Sequence, residues 1–173
     1  SNIEIITKFI KKNKEVIIKP AYGNGGLGIQ KIYFNKPNLN LFIKNYLKKF
    51  FNSPIIVQRF IKNSNKGDKR IILINGKIAG GVLRVPKTNS IKANFHAGGK
   101  PVKTNITLKE KLICKKIKPF LIKNGLIFVG IDVIDGYLTE INITSPTGIQ
   151  EINRLNNSKI EKDIIDFVSK SLQ

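Results

Sequence analysis

Two turn dipeptides restrict what this chain can fold into. Asn75-Gly76 and Asp135-Gly136 each stand between two apolar runs that are rich in β-branched residues. Asn, Asp and Gly tolerate the left-handed backbone of the two-residue type I′ turn, which joins neighbouring antiparallel strands. The sequence therefore predicts two β-hairpins, with strands at residues 70–74 and 77–84 and at residues 128–134 and 137–143.

Helix and strand patterns alternate through the rest of the chain. Apolar residues recur at helical spacing in residues 3–13 and 37–51. Short runs rich in branched residues predict strands at residues 16–19, 29–34 and 55–60. The predicted class is α+β, with mainly antiparallel strands and two lobes that meet near Phe60.

Two capping boxes predict further helix starts. Thr107 and Glu110 form one of them, at the start of a helix in which Pro119 should introduce a kink. Ser158 and Glu161 form the other, at the start of the last helix.

The net charge of +20 comes from 31 basic and 11 acidic residues. Only four of the basic residues are Arg, and Lys, Asn and Ile all have A/T-rich codons. We therefore interpret the charge as coding bias, which leaves many lysines on solvated faces. The alternative is a basic nucleic-acid-binding module, which would present a contiguous positive surface.

Several classes of protein are excluded or disfavoured. No apolar run approaches the ~20 residues of a membrane helix, and no signal peptide is visible. The single cysteine, Cys114, excludes an internal disulfide and is expected to be a packing residue in a cytoplasmic protein. The chain contains no methionine and begins with Ser1-Asn2, so we expect a piece of a longer protein.

A glycine loop follows Lys19, with Gly23, Gly25, Gly26 and Gly28 within six residues. A P-loop would need Gly-Lys-Ser/Thr and then a helix, and a dinucleotide fingerprint would also open a helix. Here a strand pattern follows instead. The loop is therefore interpreted as a hairpin flap whose backbone N–H groups close over phosphates, with Lys19 as a nearby cation. The alternative is an ordinary flexible hairpin without a ligand.

Asp132, Glu140 and Asn142 carry the oxygen ligands that Mg²⁺ prefers. Glu140 and Asn142 are two residues apart on a predicted strand and share one face. A two-residue turn would place Asp132 opposite Thr139, on the other face. A three-residue turn with a G1 bulge would place Asp132 opposite Leu138, on the face of the other two. A metal site therefore predicts the three-residue turn, whereas the alternative is a hairpin with polar residues facing water.

Arg70 and Arg84 are half of the arginines in a lysine-rich chain. An Arg retained against this bias indicates a need for a planar bidentate donor, with a structural ion pair as the alternative.

A second glycine loop, NFHAGGK, lies within a polar segment at residues 86–103, and its lone His96 is expected to be a surface or packing residue.

These pieces, in this order, resemble the ATP-grasp ligases, and more closely the ATP-binding part of bacterial-type glutathione synthetases. The stretches that carry the resemblance are IIKPAYGNGGLGI, VQRFI, KGDKRIILINGKI, RVP, NFHAGG and GLIFVGIDVIDGYLTEINITSPTGIQEI. It extends from about Val16 to the last helix. It implies an ATP-grasp fold with one lobe at residues 1–60, which carries the glycine flap, and a second at residues 61–173, which carries the metal site.

The resemblance implies an ATP-dependent ligase that joins γ-glutamylcysteine to glycine through an acyl phosphate, with Mg²⁺ or Mn²⁺ as the metal. It implies small-molecule substrates, no specific nucleic acid, no membrane, and a homo-oligomeric full-length enzyme. The N-terminal domain of the family and a further ATP-contacting lysine are missing, so we expect weak nucleotide binding and no normal turnover by this piece. Another ATP-grasp peptide or glutamate ligase is the nearest alternative, and a degenerate ATP-binding domain is a further one.

The resemblance also assigns roles to the matching residues. The nucleotide would be contacted by Lys19, Gly23, Asn24, Gly25, Gly26, Gly28, Asn94, Gly98 and Gly99 at the phosphates, by Asp68 at the ribose, and by Gln58, Arg59, Phe60 and Ile61 at the adenine. The metal ligands would be Asp132, Glu140 and Asn142. Arg70 would hold a substrate carboxylate or phosphate, and Arg84 would stabilise tetrahedral or phosphoryl oxygens. Ser145 and Thr147 would receive the glycine or peptide carboxylate.

Overall fold

A computed structural model describes residues 2–22, 25–87 and 93–172, and within them the chain divides into two compact units, one ending at Lys62 and the other beginning at Asn63. The first unit contains α1 (Ile3–Asn13), β1 (Glu15–Pro20), β2 (Gln30–Tyr33), α2 (Leu39–Lys49) and β3 (Ile55–Arg59). The second contains β4 (Asp68–Ile74), β5 (Lys77–Val85), β6 (Lys100–Val102), α3 (Leu108–Lys123), β7 (Phe128–Ile134), β8 (Tyr137–Asn142), α4 (Ile149–Asn156) and α5 (Ile160–Ser171). Short 3-10 helices lie at Lys62–Lys66 and Phe95–Ala97.

The first unit is a three-stranded antiparallel sheet in the order β2-β1-β3, packed with two helices. Helix α1 is capped by the Asn2 side chain, which accepts hydrogen bonds from the N–H groups of Glu4 and Ile5. Apolar side chains of α1, β1 and α2 form one core, which includes Ile10, Ile18 and Ile43. The two predicted helices and three predicted strands are confirmed.

The second unit is built on a five-stranded antiparallel sheet in the order β6-β5-β4-β7-β8. The central strand β4 alternates between two apolar clusters, because successive side chains of a strand point to opposite faces. Ile71 and Leu73 belong to the cluster that includes residues of α3, and Ile72 and Ile74 to the cluster that includes residues of α4 and α5. The predicted α+β class with antiparallel strands is confirmed.

Both predicted hairpins are present, and both have two-residue turns. Asn75 and Gly76 have φ of 48° and 68°, and Asp135 and Gly136 have φ of 50° and 71°. Positive φ at both central residues is the type I′ pattern. Since Ile134 pairs directly with Tyr137, the predicted three-residue turn is wrong.

One predicted capping box is confirmed and the other is wrong. Thr107 and Glu110 form the reciprocal box at the start of α3, which continues through Pro119; the kink there stays a prediction. Helix α5 begins only at Ile160, whose N–H donates to the side chain of Asn153 at 3.0 Å. Asn153 belongs to α4, a helix that the sequence did not predict, and its side chain also accepts from the Ser158 hydroxyl.

Among the described helices, none has the length and apolar character needed to cross a membrane.

Candidate active site

A β-bulge in β8 brings the three candidate metal ligands to one face. With a two-residue turn, a regular ladder would pair Asp132 with Thr139. Thr139 is instead the extra residue of the bulge, so that Val133 pairs with Leu138 and Asp132 pairs with Glu140. The Thr139 hydroxyl donates to the backbone carbonyl of Asp132 at 3.0 Å, at the point where the ladder is irregular. Asn142, two residues beyond Glu140, therefore shares the face of Asp132.

Buried arginines surround the Asp132 carboxylate. Arg70 Nε donates to Oδ1 at 2.6 Å and Arg70 Nη2 donates to Oδ2 at 3.1 Å. Arg84 Nη2 lies 2.9 Å from Oδ1, and Asn142 Nδ2 donates to Oδ2 at 3.4 Å. Burial alone would raise the pKa of Asp132, but the two guanidinium groups outweigh it and hold that pKa below its ordinary value. Asp132 is therefore an anion whose oxygens each accept two hydrogen bonds.

Asp68 extends the network on the adjoining strand pair. Arg84 donates to it from Nε at 2.6 Å and from Nη2 at 2.8 Å, which is a bidentate pair. Burial opposes the charge on Arg84, but Asp132 and Asp68 together raise its pKa. Arg84 is 1% exposed. The structural ion pair that the sequence left open as an alternative is thus present at both arginines, in the order Asp68, Arg84, Asp132, Arg70.

The candidate ligands Asp132, Glu140 and Asn142 meet only some of the requirements of a metal site. Within residues 2–22, 25–87 and 93–172, no group of three or more His, Cys, Asp or Glu side chains is arranged to hold a metal ion. Asp132 could ligate only by giving up an arginine contact. Glu140 is exposed, and Asn142 directs Nδ2 at Asp132 and so turns its Oδ1 away from that carboxylate. A carboxylate and an amide oxygen on one face fit the few protein ligands that Mg²⁺ takes beside phosphate oxygens.

The segment of residues 145–148, just before α4, contacts Arg70. Arg70 Nη1 donates to the backbone carbonyl of Thr147 at 3.0 Å. A Cβ on Gly148, whose φ is +114°, would lie 3.4 Å from Arg70 Cγ and 3.5 Å from the Phe95 ring. Ser145 is exposed and has a positive φ of 47°. Ser145 and Thr147 therefore lie in one short segment that Arg70 holds to the sheet.

The second glycine loop forms a capped turn in the same unit. The Asn94 side chain accepts from the N–H of Ala97 at 2.8 Å, and Gly98 has φ of +82°. A Cβ on Gly99 would lie 1.9 Å from the carbonyl oxygen of Ala93, so only glycine fits there. The Phe95 ring centroid lies 5.7 Å from Arg84 Cζ. This capped turn therefore lies next to Arg84, and His96 within it is exposed as predicted.

The first unit carries the other candidate nucleotide residues. Lys19 is buried in β1 and pairs across the sheet with Ile56 of β3. Gly25, Gly26 and Gly28 all have positive φ, of 63°, 73° and 78°. Gly23 and Asn24 lie outside the described residues. Of the predicted adenine segment, Gln58 and Arg59 belong to β3, and Phe60 and Ile61 follow it. Their convergence with residues of the second unit stays a prediction.

Comparison with known proteins shows the family. The sequence model of the prokaryotic glutathione synthetase ATP-grasp domain matches residues 1–157. The chain belongs to the prokaryotic glutathione synthetase family. The glutathione synthetase of Mesorhizobium japonicum is 44% identical over 163 residues, which are 94% of this chain and 52% of the relative. That of Prochlorococcus marinus is 38% identical over 166 residues, 96% of this chain and 54% of the relative. The chain thus spans about half the length of the curated relatives it matches.

Solved structures show the fold of this chain. A D-alanine–D-alanine ligase from Bacillus anthracis complexed with ATP has a TM-score of 0.59 and 18% identity, over 100% of this chain and 58% of the ligase. An ATP-grasp ligase in complex with a minimal precursor, Mg and ADP has a TM-score of 0.61 and 14% identity, over 99% of this chain and 51% of the ligase. The ATP-grasp fold that the sequence resemblance predicted is confirmed.

Three residues that the sequence did not assign contact candidate residues, each within its own unit. Thr139 is the extra residue of the bulge, Phe95 lies against Arg84, and Tyr46 of α2 donates a hydrogen bond to Gly28 at 2.7 Å. The sequence could have indicated Phe95 as a site residue, because it stands directly after Asn94 in the second glycine loop. No sequence pattern pointed to Thr139 or Tyr46, since a threonine in a strand and a tyrosine in a helix are ordinary at those positions.

Proposed function

We propose that this chain is the ATP-binding half of a ligase that joins γ-glutamylcysteine to glycine at the cost of ATP. The single observation that carries the proposal is the ion-pair row Asp68, Arg84, Asp132 and Arg70, in a chain of the glutathione synthetase family. Its Asp132 lies opposite Glu140 in the sheet and accepts a hydrogen bond from Asn142. Both guanidinium groups lie on Asp132, in the strand pair that also carries Glu140 and Asn142. Phosphoryl transfer to a carboxylate requires both cations for the anionic reactants and oxygens for a metal.

The proposed reaction has two steps. A carboxylate oxygen of γ-glutamylcysteine attacks the γ-phosphorus of ATP, ADP leaves, and an acyl phosphate forms. The amine nitrogen of glycine then attacks the acyl carbon, phosphate leaves with the C–O electrons, and the nitrogen loses a proton as the amide forms. Charge stabilisation and positioning supply most of the catalysis in such transfers, so none of the residues needs to be a covalent nucleophile.

Residues of the second unit divide these tasks. Glu140 and Asn142 would hold a divalent cation, for which Mg²⁺ is proposed and Mn²⁺ is the alternative. Such a cation, when bound, neutralises charge on the phosphate oxygens. Arg70 uses only some of its five N–H donors on Asp132 and Thr147, which leaves others for a substrate anion. Arg84 is too buried to touch a substrate as it stands, so its proposed contact with reacting oxygens requires that Phe95 and its neighbours move.

Residues of the first unit would bind the nucleotide. Lys19 and the glycines at positions 25, 26 and 28 are proposed at the phosphates, and backbone groups of residues 58–61 at the adenine. Positive φ at the three glycines supports this, because glycine backbone lets N–H groups approach an anion without a Cβ in the way. A cytoplasmic location and a homo-oligomeric full-length enzyme also stay predictions.

Nucleotide binding by the 173-residue chain is the first test. Isothermal titration with ADP and Mn²⁺, together with the electron paramagnetic resonance of free Mn²⁺, should show a ternary complex. Glu140→Gln should weaken Mn²⁺ binding at least tenfold, whereas Glu4→Gln, an exposed change of the same chemistry in α1, should leave it unchanged. A folded chain that binds DNA in a salt-sensitive manner and binds no nucleotide would overturn the proposal in favour of a nucleic-acid-binding module.

Substrate identity is tested in the full-length protein that contains this sequence. ADP release should require γ-glutamylcysteine and glycine together, and other carboxylate and amine pairs should support much slower release. Faster release with a different peptide acceptor would assign the chain to another ATP-grasp ligase. The isolated chain is expected to turn over far more slowly than the full-length protein in the same assay.

A further inference from the structure

Helix α2 packs against the end of the glycine loop where the chain enters β2. We propose that Tyr46 is a positioning residue, which holds the Gly28 end of this loop in the backbone shape that receives the phosphates of a nucleotide. The inference rests on the proposed function, because it concerns the same nucleotide. It names a residue outside the loop, on a helix, whose hydroxyl acts only through the backbone of Gly28.

The hydrogen bond that carries the proposal is short and sheltered. Tyr46 Oη donates to the carbonyl oxygen of Gly28 at 2.7 Å, and Tyr46 is 3% exposed. Burial raises the pKa of Tyr46 to about 12, so the phenol keeps its proton and remains a donor at neutral pH. The carbonyl of Gly28 therefore has a fixed partner in the core.

The peptide unit between Gly28 and Ile29 is also hydrogen-bonded through its N–H group. The N–H of Ile29 donates to the carbonyl of Gly26 at 3.3 Å, so both polar groups of the peptide between Gly28 and Ile29 are hydrogen-bonded. A peptide plane held at both groups cannot rotate without losing one of the two bonds. The turn of residues 25–28 consequently has a defined exit into β2.

Close packing leaves no room for another residue at position 28. A Cβ there would lie 2.6 Å from Phe50 Cζ and 2.9 Å from Pro20 Cδ, and Gly28 has φ of +78°. The rings of Tyr46 and Phe50 are 4.9 Å apart, and those of Tyr46 and Phe42 are 6.1 Å apart. Phe42, Tyr46 and Phe50, the residue that follows α2, thus form a row of three rings, of which Tyr46 and Phe50 contact Gly28.

This arrangement explains how a loop made of glycines could present a definite shape. Glycine has the largest backbone entropy of any residue, so an anion-binding loop must either be ordered by its ligand or be held beforehand. Tyr46 and Phe50 hold one end beforehand. They are therefore expected to matter for ligands that carry phosphates and not for the nucleoside alone.

Tyr46→Phe tests the hydroxyl, since it removes one oxygen and keeps the ring. Binding of ATP and of adenosine is measured by displacement of a fluorescent nucleotide in the presence of Mg²⁺. We expect about a fivefold loss of ATP affinity, the effect of about one hydrogen bond, and no change for adenosine. Phe50→Leu should show the same selective loss. Tyr137→Phe, an exposed tyrosine of β8, is the matched control and should bind both ligands like the wild type.

The outcomes separate this inference from the proposed function. An equal loss for ATP and adenosine, an unchanged ATP affinity, or a Tyr46→Phe protein that is unfolded by circular dichroism would overturn the role of Tyr46. A folded wild type that binds neither ligand would overturn the proposed function instead. Amide hydrogen exchange of residues 25–28 reports on the loop without any ligand and should be faster in Tyr46→Phe; unchanged exchange would also contradict the inference.

Discussion

Asp132 lies directly opposite Glu140 in the pairing of β7 with β8, although the turn that joins the two strands has only two residues. The extra residue needed for this alignment is Thr139, which lies within the strand and not in the turn. A bulge in the strand leaves the favourable type I′ turn intact and still moves Glu140 by one position along the ladder. The polar face of the hairpin therefore depends on a single inserted residue.

Removal of the Asp132 charge should destabilise the second unit strongly. Asp132→Asn leaves the buried Arg70 and Arg84 without their shared anion, and we expect a loss of about 3–5 kcal/mol in the free energy of unfolding. Urea denaturation followed by circular dichroism measures it. Asp163→Asn, on the exposed side of α5, is the matched control and should change stability by less than about 0.5 kcal/mol. Similar stabilities for the two variants would contradict the ion-pair network.

Lys69 and Glu110 form a second buried ion pair, on the opposite face of β4 from Arg70. Lys69 Nζ lies 2.8 Å from Glu110 Oε2 and also donates to the carbonyl of Asn105 at 2.8 Å. Lys69→Met should destabilise the protein by about 3 kcal/mol, because it leaves the buried carboxylate of Glu110 without its cation. The double variant Lys69→Met/Glu110→Gln should recover part of this loss. A thermodynamic cycle with no coupling between the two residues would show that the pair is not formed in solution.

Stability above pH 10 should depend on Tyr46. Its folded-state pKa is raised to about 12, whereas an unfolded phenol titrates near ~10. The unfolded state therefore loses its proton first, so the contribution of Tyr46 is fully present below pH ~10 and is lost as the pH rises towards about 12. The difference in unfolding free energy between wild type and Tyr46→Phe should shrink over this range by about 2 kcal/mol. A difference that does not vary with pH would be inconsistent with a buried phenol.

Cys114 should be unreactive in the folded protein. It is 3% exposed within α3, and burial raises the pKa of its thiol to about 11. Because thiolate is the reactive form, labelling with a disulfide reagent at pH 8 should be slow under native conditions and rapid in urea. The rate is followed by the absorbance of the released thiol. Complete labelling of the native protein within the mixing time would place Cys114 on the surface.

Local chemistry made much of the fold predictable. The apolar spacing of α1 and α2, the Asn75-Gly76 and Asp135-Gly136 turns, and the capping box of α3 depend on residues close in sequence, and each is present. The start of α5 was not predictable in the same way. Its Ser158 and Glu161 are engaged by Asn153, because α4 brings that side chain next to them.

The sequence by itself determined the α+β class, the hairpins and the set of charged residues that a ligase site could use. Only the tertiary structure decided how those charges are paired. Asp132, Arg70 and Arg84 come from three strands, and their partners depend on the register of each strand pair and on the bulge at Thr139. Register follows from the packing of both faces of the sheet at once, so no local pattern could specify that Asp132 would be held by two arginines.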